Sequence, residues 1–241
     1  MSPKLLLLVA ALTLAGAANA VTVNLTDFNF GPPVNAKIDG TGGSPSYNGS
    51  AGAFIGTQTD APPVDAKRSS ITATSPTSFV AWCAELTQSF SFGVSYEYAL
   101  VDGSTYHFGN LLSDPNNHRS TDLSRLFTAA ATNNFVFDSA GSAAFQAGIW
   151  EIIYEHDVGY NFLTGTLRGS ASDPANQAAF NTVNGFLTTL GTYVAGYHID
   201  VLTNDAQQDF LVASVPEPET WAMLVGGLGM IGFLRRRRKV A

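Results

Sequence analysis

The 241-residue chain predicts a single α+β domain with β-strands at both ends and about three helices in the middle. Apolar, aromatic and β-branched residues alternate or cluster on either side of a central stretch, and within that stretch apolar residues recur at helical spacing. The length suits one domain or at most two small ones, and no internal repeat divides it. Aromatic residues make up 11% of the chain, which argues against wholesale disorder.

The elements follow in order. Residues 21–30, VTVNLTDFNF, alternate apolar and polar and read as a half-buried first strand. Residues 31–66 are rich in Gly, Pro, Ser, Asp and Thr and read as loop, with a short strand or hairpin in SYNGSAGAFIGTQ. Ser78 to Leu86 and Phe90 to Val101 are longer β segments, with Gly93 read as a bulge. Leu123, Leu126, Phe127, Ala130 and Ala131 share one helical face behind a cap at Thr121 or Asp122. Ser142 to Glu155 is a second helix. Asp173-Pro174 opens a third, with Phe180, Val183, Leu187 and Leu190 as its apolar stripe. Tyr197 to Leu202 and Phe210 to Val215 return to strand.

Both ends carry targeting patterns. Residues 1–20 hold a basic Lys4, an apolar run from Leu5 to Ala18 and the small-residue site Ala18-Asn19-Ala20, the order of a secretory signal peptide cut after Ala20. At the other end, Val215-Pro216-Glu217-Pro218-Glu219 precedes a 15-residue apolar stretch, Thr220–Leu234, and a basic cluster, Arg235 to Lys239. That stretch is shorter than the ~20 residues of a comfortable membrane span, and the positive-inside rule keeps the basic cluster cytoplasmic. The tripartite tail, residues 215–239, resembles the PEP-CTERM sorting signal of Gram-negative bacteria, with Pro216, Glu217 and Pro218 as the motif itself. The resemblance implies a transient inner-membrane anchor and processing by an exosortase-type membrane protease, often in bacteria that make exopolysaccharide and biofilm. A secreted domain, residues 21–214, lies between the two signals.

Without the basic residues of the two signals, that domain keeps six Lys and Arg against 17 Asp and Glu, a net charge of −11. Such an acidic body argues against nucleic acid and against anionic polysaccharide held by charge, but not against a neutral glycan. Cys83 is the only cysteine, which excludes an internal disulfide framework and a Cys-rich zinc site.

Two residues stand out chemically. Cys83 lies in the β-like run FVAWCAEL, where it is either a small buried hydrophobe or a nucleophile. Gln146 lies about 180° around its helix from Glu155, near the middle of the apolar arc. There it is either a hydrogen-bonded core residue or a reacting one. Together the segments Trp82-Cys83-Ala84 and Phe145-Gln146-Ala147-Gly148-Ile149-Trp150 resemble those of bacterial thioester domains. The resemblance implies that Cys83 supplies the sulfur and Gln146 the acyl carbon of an internal thioester, shielded by Trp82, Phe145 and Trp150. A surface amine or hydroxyl would then displace the sulfur and bond to the protein, once per molecule and without turnover.

Other candidates are weaker. Glu151 and Glu155, at i,i+4, read as a solvated polar face shared with Gly148, with paired acids of a glycosidase as the alternative. Glu155-His156-Asp157 has metal-ligand residue types without partner spacing, and His107, His118 and His198 are scattered. Tyr47, Tyr96, Tyr98, Tyr106, Tyr160 and Tyr193 offer faces for sugars or for core packing. Asp209 reads as the end of the domain. No phosphate loop, GxSxG or Ser-His-Asp set is present. The expectation is a non-enzymatic protein of the cell surface or extracellular matrix, without cofactor or metal. It is either a covalent adhesin or a non-covalent structural or glycan-binding module.

Overall fold

The computed structural model describes residues 19–58, 78–110, 118–156 and 159–215. The signal-peptide reading (residues 1–18) and the sorting tail (216–239) therefore lie outside the described residues.

Among the described residues, nine strands and three helices form one mixed domain, with strands at both ends as the sequence predicts. The strands are β1 (Asn19–Phe28), β2 (Val34–Gly40), β3 (Tyr47–Ala51), β4 (Phe54–Gln58), β5 (Ser78–Cys83), β6 (Ser95–Asp102), β7 (Leu167–Ala171), β8 (His198–Thr203) and β9 (Phe210–Ser214). The helices are α1 (His118–Thr132), α2 (Ser139–Tyr154) and α3 (Gln177–Thr188). Six strands close an antiparallel barrel in the order β1-β4-β5-β9-β8-β6, which leaves none of them as an open edge. The other three form a separate antiparallel sheet, β3-β2-β7.

Helix α2 is the centre of the molecule. It starts at Ser139, three residues before the sequence reading, because Asp138 accepts a hydrogen bond from the Gly141 amide at 2.7 Å and caps it. Every residue from Gly141 to Tyr154 is buried. A helix apolar on all sides belongs inside, and α2 lies against α1, α3, the three-stranded sheet and strand β5. Gly148 marks the closest approach to α3. A Cβ there would stand 2.8 Å from the Val183 side chain.

This placement corrects the reading of Glu151 and Glu155 as a solvated face, since both are buried. Backbone donors compensate much of that burial, although Glu151 Oε2 has no hydrogen-bond partner among the described residues. Glu151 Oε1 accepts from the Asn161 amide at 2.8 Å. Glu155 accepts from the amides of His156, Thr166 and Leu167. The two carboxyl groups thus hold the segment that leads into β7. Arg119 closes the same helix end, donating to the carbonyls of Ile152, Ile153 and Glu155 at 3.0–3.1 Å.

Other boundaries also move. Strand β2 occupies residues read as loop, and β7 is an added strand. Strand β2 lies between a near partner and a distant one, Ile38 pairing with both Tyr47 and Gly169. Phe90 to Val94 precede β6 rather than belong to it, and Gly93 sits in a turn at φ +74° instead of a bulge. Helix α1 starts before Thr121; Asp122 instead bonds Arg125 at 2.8 Å and the Tyr160 hydroxyl at 2.9 Å. Ala131 is exposed, while Leu123, Leu126, Phe127 and Ala130 are buried. Asp173 caps a short 3-10 turn at Pro174–Asn176 ahead of α3, and the stripe Phe180, Val183, Leu187 and Leu190 is buried. Strand pairing reaches Asn19 and Ala20, opposite Leu100 and Ala99. Cleavage after Ala20 would leave Val21, opposite Tyr98, as the first residue of β1.

Burial, reinforced by the neighbouring Glu155, raises the Glu151 carboxyl to about 8 from its ordinary 4.5. Between these values the folded chain keeps a proton that the unfolded chain has released. The stabilising contribution is complete below about pH 4.5 and is lost as pH rises through about 8. Thermal melts of wild type from pH 5 to 8 should therefore show a falling Tm, and Glu151→Gln should flatten that fall. Glu85 and Asp209 are also raised and act in the same direction. The readout is thus the difference between the two proteins, at about 2–4 °C per kcal/mol. Parallel slopes would show that Glu151 ionises normally in the fold.

Candidate functional site

The barrel and α2 meet where β5 outruns β4. Strand β4 begins at Phe54, which pairs with Ala81, so β4 offers Cys83 no partner. On its other side Cys83 lies opposite Phe210 of β9. Its amide and carbonyl are left facing α2, and Gln146 fills the gap. The Cys83 amide donates to Gln146 Oε1 at 2.8 Å, and Gln146 Nε2 donates back to the Cys83 carbonyl at 2.9 Å. One carboxamide thus completes the ladder in place of a strand residue. Ser142, one helical turn earlier, does the same for the start of β4, its hydroxyl accepting from the Ala53 amide at 2.8 Å.

The structure therefore brings Cys83 and Gln146 together, with the strand of one beside the first half of the helix of the other. Gln146 is fully buried and Cys83 is 6% exposed. Burial pushes the thiol up, the Glu85 carboxylate adds to this, and a hydrogen bond with Gln208 opposes it. The sulfur is held neutral.

The three tryptophan and phenylalanine residues proposed as shields separate into two groups. Trp82 and Phe145 pack as tilted rings with centroids 4.9 Å apart in an aromatic layer with Phe127 and Phe137, between barrel and helices. Trp150 instead lines a cavity of about 220 Å³ together with Cys83. Successive strand residues face opposite ways, so Trp82 and its neighbour Cys83 occupy different sides of β5. Tyr47 of β3 packs edge-on against Trp150 at 5.2 Å and forms another wall.

Beside this chamber lies a more polar cleft of about 420 Å³ that the sequence reading missed. Its floor is a knot between residues 84–88 and 204–209. Tyr106 donates to Asp209 Oδ2 at 2.7 Å, the Asp209 amide donates to Glu85 Oε1 at 3.1 Å, and the Leu86 amide donates to the Tyr154 hydroxyl at 3.1 Å. Burial raises both carboxyl groups and takes the Tyr154 phenol to about 12. Asp209 therefore organises a cleft rather than merely ending the domain. The available signal was an acid flanked by β-like residues, too common a pattern to identify a cleft. Among the described residues no group of three or more His, Cys, Asp or Glu side chains could hold a metal, and no helix is long and apolar enough to cross a membrane. Asp157 of the Glu155-His156-Asp157 triplet lies outside the described residues.

The described residues define a barrel-and-helix domain joined by a buried Cys–Gln contact, and its last strand ends at Ser214. Residues 214–239 match the PEP-CTERM protein-sorting motif. The chain is thus a PEP-CTERM sorting-signal protein, exported through membrane-anchored transit and processed by exosortase, a membrane protease. No curated protein and no solved structure matches it. Pro216, Glu217 and Pro218 lie in the matched tail, outside the described residues.

Two predictions follow from this geometry and this match. Gln146→Leu keeps the size of the side chain but leaves the Cys83 amide and carbonyl unpaired. At about 1–3 kcal/mol for each buried unpaired group, urea unfolding should show a loss of about 2–6 kcal/mol. A loss well below 1 kcal/mol would mean that the two hydrogen bonds do not hold the strand end. Replacing Pro216-Glu217-Pro218 with alanines should keep the protein in the membrane fraction at unprocessed size. Release of that variant at normal size would show that recognition lies elsewhere in the tail.

Proposed function

We propose that this is a cell-surface or extracellular-matrix protein of a Gram-negative bacterium that couples covalently to its target through a Cys83–Gln146 thioester. The proposal includes secretion by a signal peptide cut after Ala20 and, after sorting, association with exopolysaccharide or with surface amines and hydroxyls. The observation that carries the reading is the paired hydrogen bonding of the Gln146 carboxamide to the backbone of Cys83 itself.

The chemistry suits that arrangement. The Cys83 amide, 2.8 Å from Oε1, stabilises the negative charge that develops on this oxygen when sulfur attacks Cδ. The C–N bond breaks, the thiol proton leaves with the nitrogen as ammonia, and the acyl carbon stays bonded to sulfur. An incoming amine or hydroxyl attacks the same carbon, gives up its proton to the departing sulfur, and leaves an amide or ester. Burial disfavours a free thiolate at Cys83, and thiol and thioester are both neutral. The protein acts once, as a capture device without turnover.

A second reading is favoured by the same two hydrogen bonds, because they give both polar atoms of an intact Gln146 amide a partner. In it the pair is a structural clamp in a non-covalent surface module. Intact-mass measurement of the exported protein separates the two. The thioester form should be about 17 Da lighter than its processed sequence, the mass of ammonia. Methylamine should add to it, and Cys83→Ala should restore full mass and abolish the adduct. Full mass in the native protein, with no methylamine adduct, would leave the clamp reading.

A further inference from the structure

The chamber above Cys83 has a composition that the thioester does not require. Phe28, Phe54, Phe90 and Phe92 line one side, with ring centroids 5.0–5.7 Å apart. They come from β1, β4 and the turn before β6. Among the described residues no charged side chain lines the chamber; its polar lining is Ser50, Gln88, Ser89, Gln208 and the Tyr47 ring. Trp150, 1% exposed, closes it on the inside. The chamber opens at the surface, because Phe92 is 43% exposed and Gln88 and Ser89 are exposed as well.

We propose that this chamber binds one neutral hexose unit of a glycan, with the aromatic rings against the C–H face of the sugar and the Gln88, Ser89 and Gln208 side chains bonding its hydroxyl groups. Four observations select that ligand. The absence of a charged lining gives neither a uronic acid nor an amino sugar a partner for its charge. The aromatic rings require an apolar surface, while the neutral amides and hydroxyls require oxygen atoms around it. A volume of about 220 Å³, room for about seven waters, fits a single ring rather than an oligosaccharide. The acidic body of the domain repels anionic polymers and leaves neutral ones unaffected. The inference takes its place from the site of the proposed thioester but does not depend on the bond. If the bond forms, the bound sugar presents its hydroxyls beside the acyl carbon.

The test is a titration of the exported, processed protein with methyl glucoside, methyl galactoside and methyl mannoside, followed by tryptophan fluorescence and saturation-transfer NMR. At least one should bind reversibly and saturably, with glucuronate and glucosamine weaker by about tenfold or more. Gln88→Ala, which removes one amide from the exposed lining, should weaken binding about five- to tenfold, the range of one hydrogen bond. Phe92→Ala, also at the exposed rim, should weaken binding without disturbing the core. Absence of saturable binding by all three glycosides overturns the proposal. So does unchanged affinity in both variants, or equal affinity for the charged sugars. Intact mass, read in parallel, keeps the two proposals apart. A 17 Da deficit without glycoside binding would leave the thioester and remove the hexose site. Glycoside binding at full mass would do the reverse.

Discussion

Helix α2 is buried along its length, and the partners that four of its polar side chains find there organise the domain. Helix α2 carries Ser142, Gln146 and Glu151 on its length and Glu155 at its end, and all four are buried. Each binds the backbone of a different segment: Ser142 the residue before β4, Gln146 the end of β5, Glu151 the amide of Asn161, Glu155 the amides at the start of β7. A deep core usually relies on apolar contact alone to fix its layers. Here the apolar contacts supply most of the burial, and the four polar side chains fix register, because a backbone amide meets its acceptor in only one alignment.

The candidate site is one consequence of that arrangement. The carboxamide that completes the ladder at Cys83 must lie close to the residue whose amide it accepts from, so a structural clamp and an acyl donor share one geometry. What distinguishes them is the surroundings of the sulfur. Burial and Glu85 hold the thiol neutral, which opposes reaction with any diffusing electrophile and favours an uncharged resting form. The open chamber with Trp150 lies on the same side of β5, whereas Trp82 and Phe145 fill the layer on the other. An intermediate shielded only by the second pair would be inaccessible. The asymmetry gives Cys83 a closed back and an approachable front.

What could be read from the sequence depended on whether partners were local. The burial of Gln146 was legible, because its angle from the other side chains of one helix fixes its direction. The burial of Glu151 and Glu155 was not. An i,i+4 acid pair reads as a wet face unless one knows that the amides of Asn161, Thr166 and Leu167 fold back over it. Strand β7 escaped for a similar reason, since this short Gly-containing segment becomes a strand by pairing with β2 across about 130 residues. The sorting tail was fully legible, because its three parts are contiguous. The aromatic chamber could not be, because its walls come from segments that no single periodicity connects.

The position of the tail also bears on how the domain survives processing. Strand β9 ends at Ser214, hydrogen-bonded between β5 and β8, and the sorting match begins at that same residue. Five residues, 215–219, separate the strand from the apolar stretch, a span of at most about 18 Å when extended. A cut within those five removes the anchor and leaves every described strand paired. A cut before Phe210 would remove the residue opposite Cys83 and open the barrel at β5, exposing the seam that Gln146 closes. Export through this route therefore requires a domain that is complete at Ser214, and the closed barrel, with its last strand inserted between two earlier ones, meets that requirement.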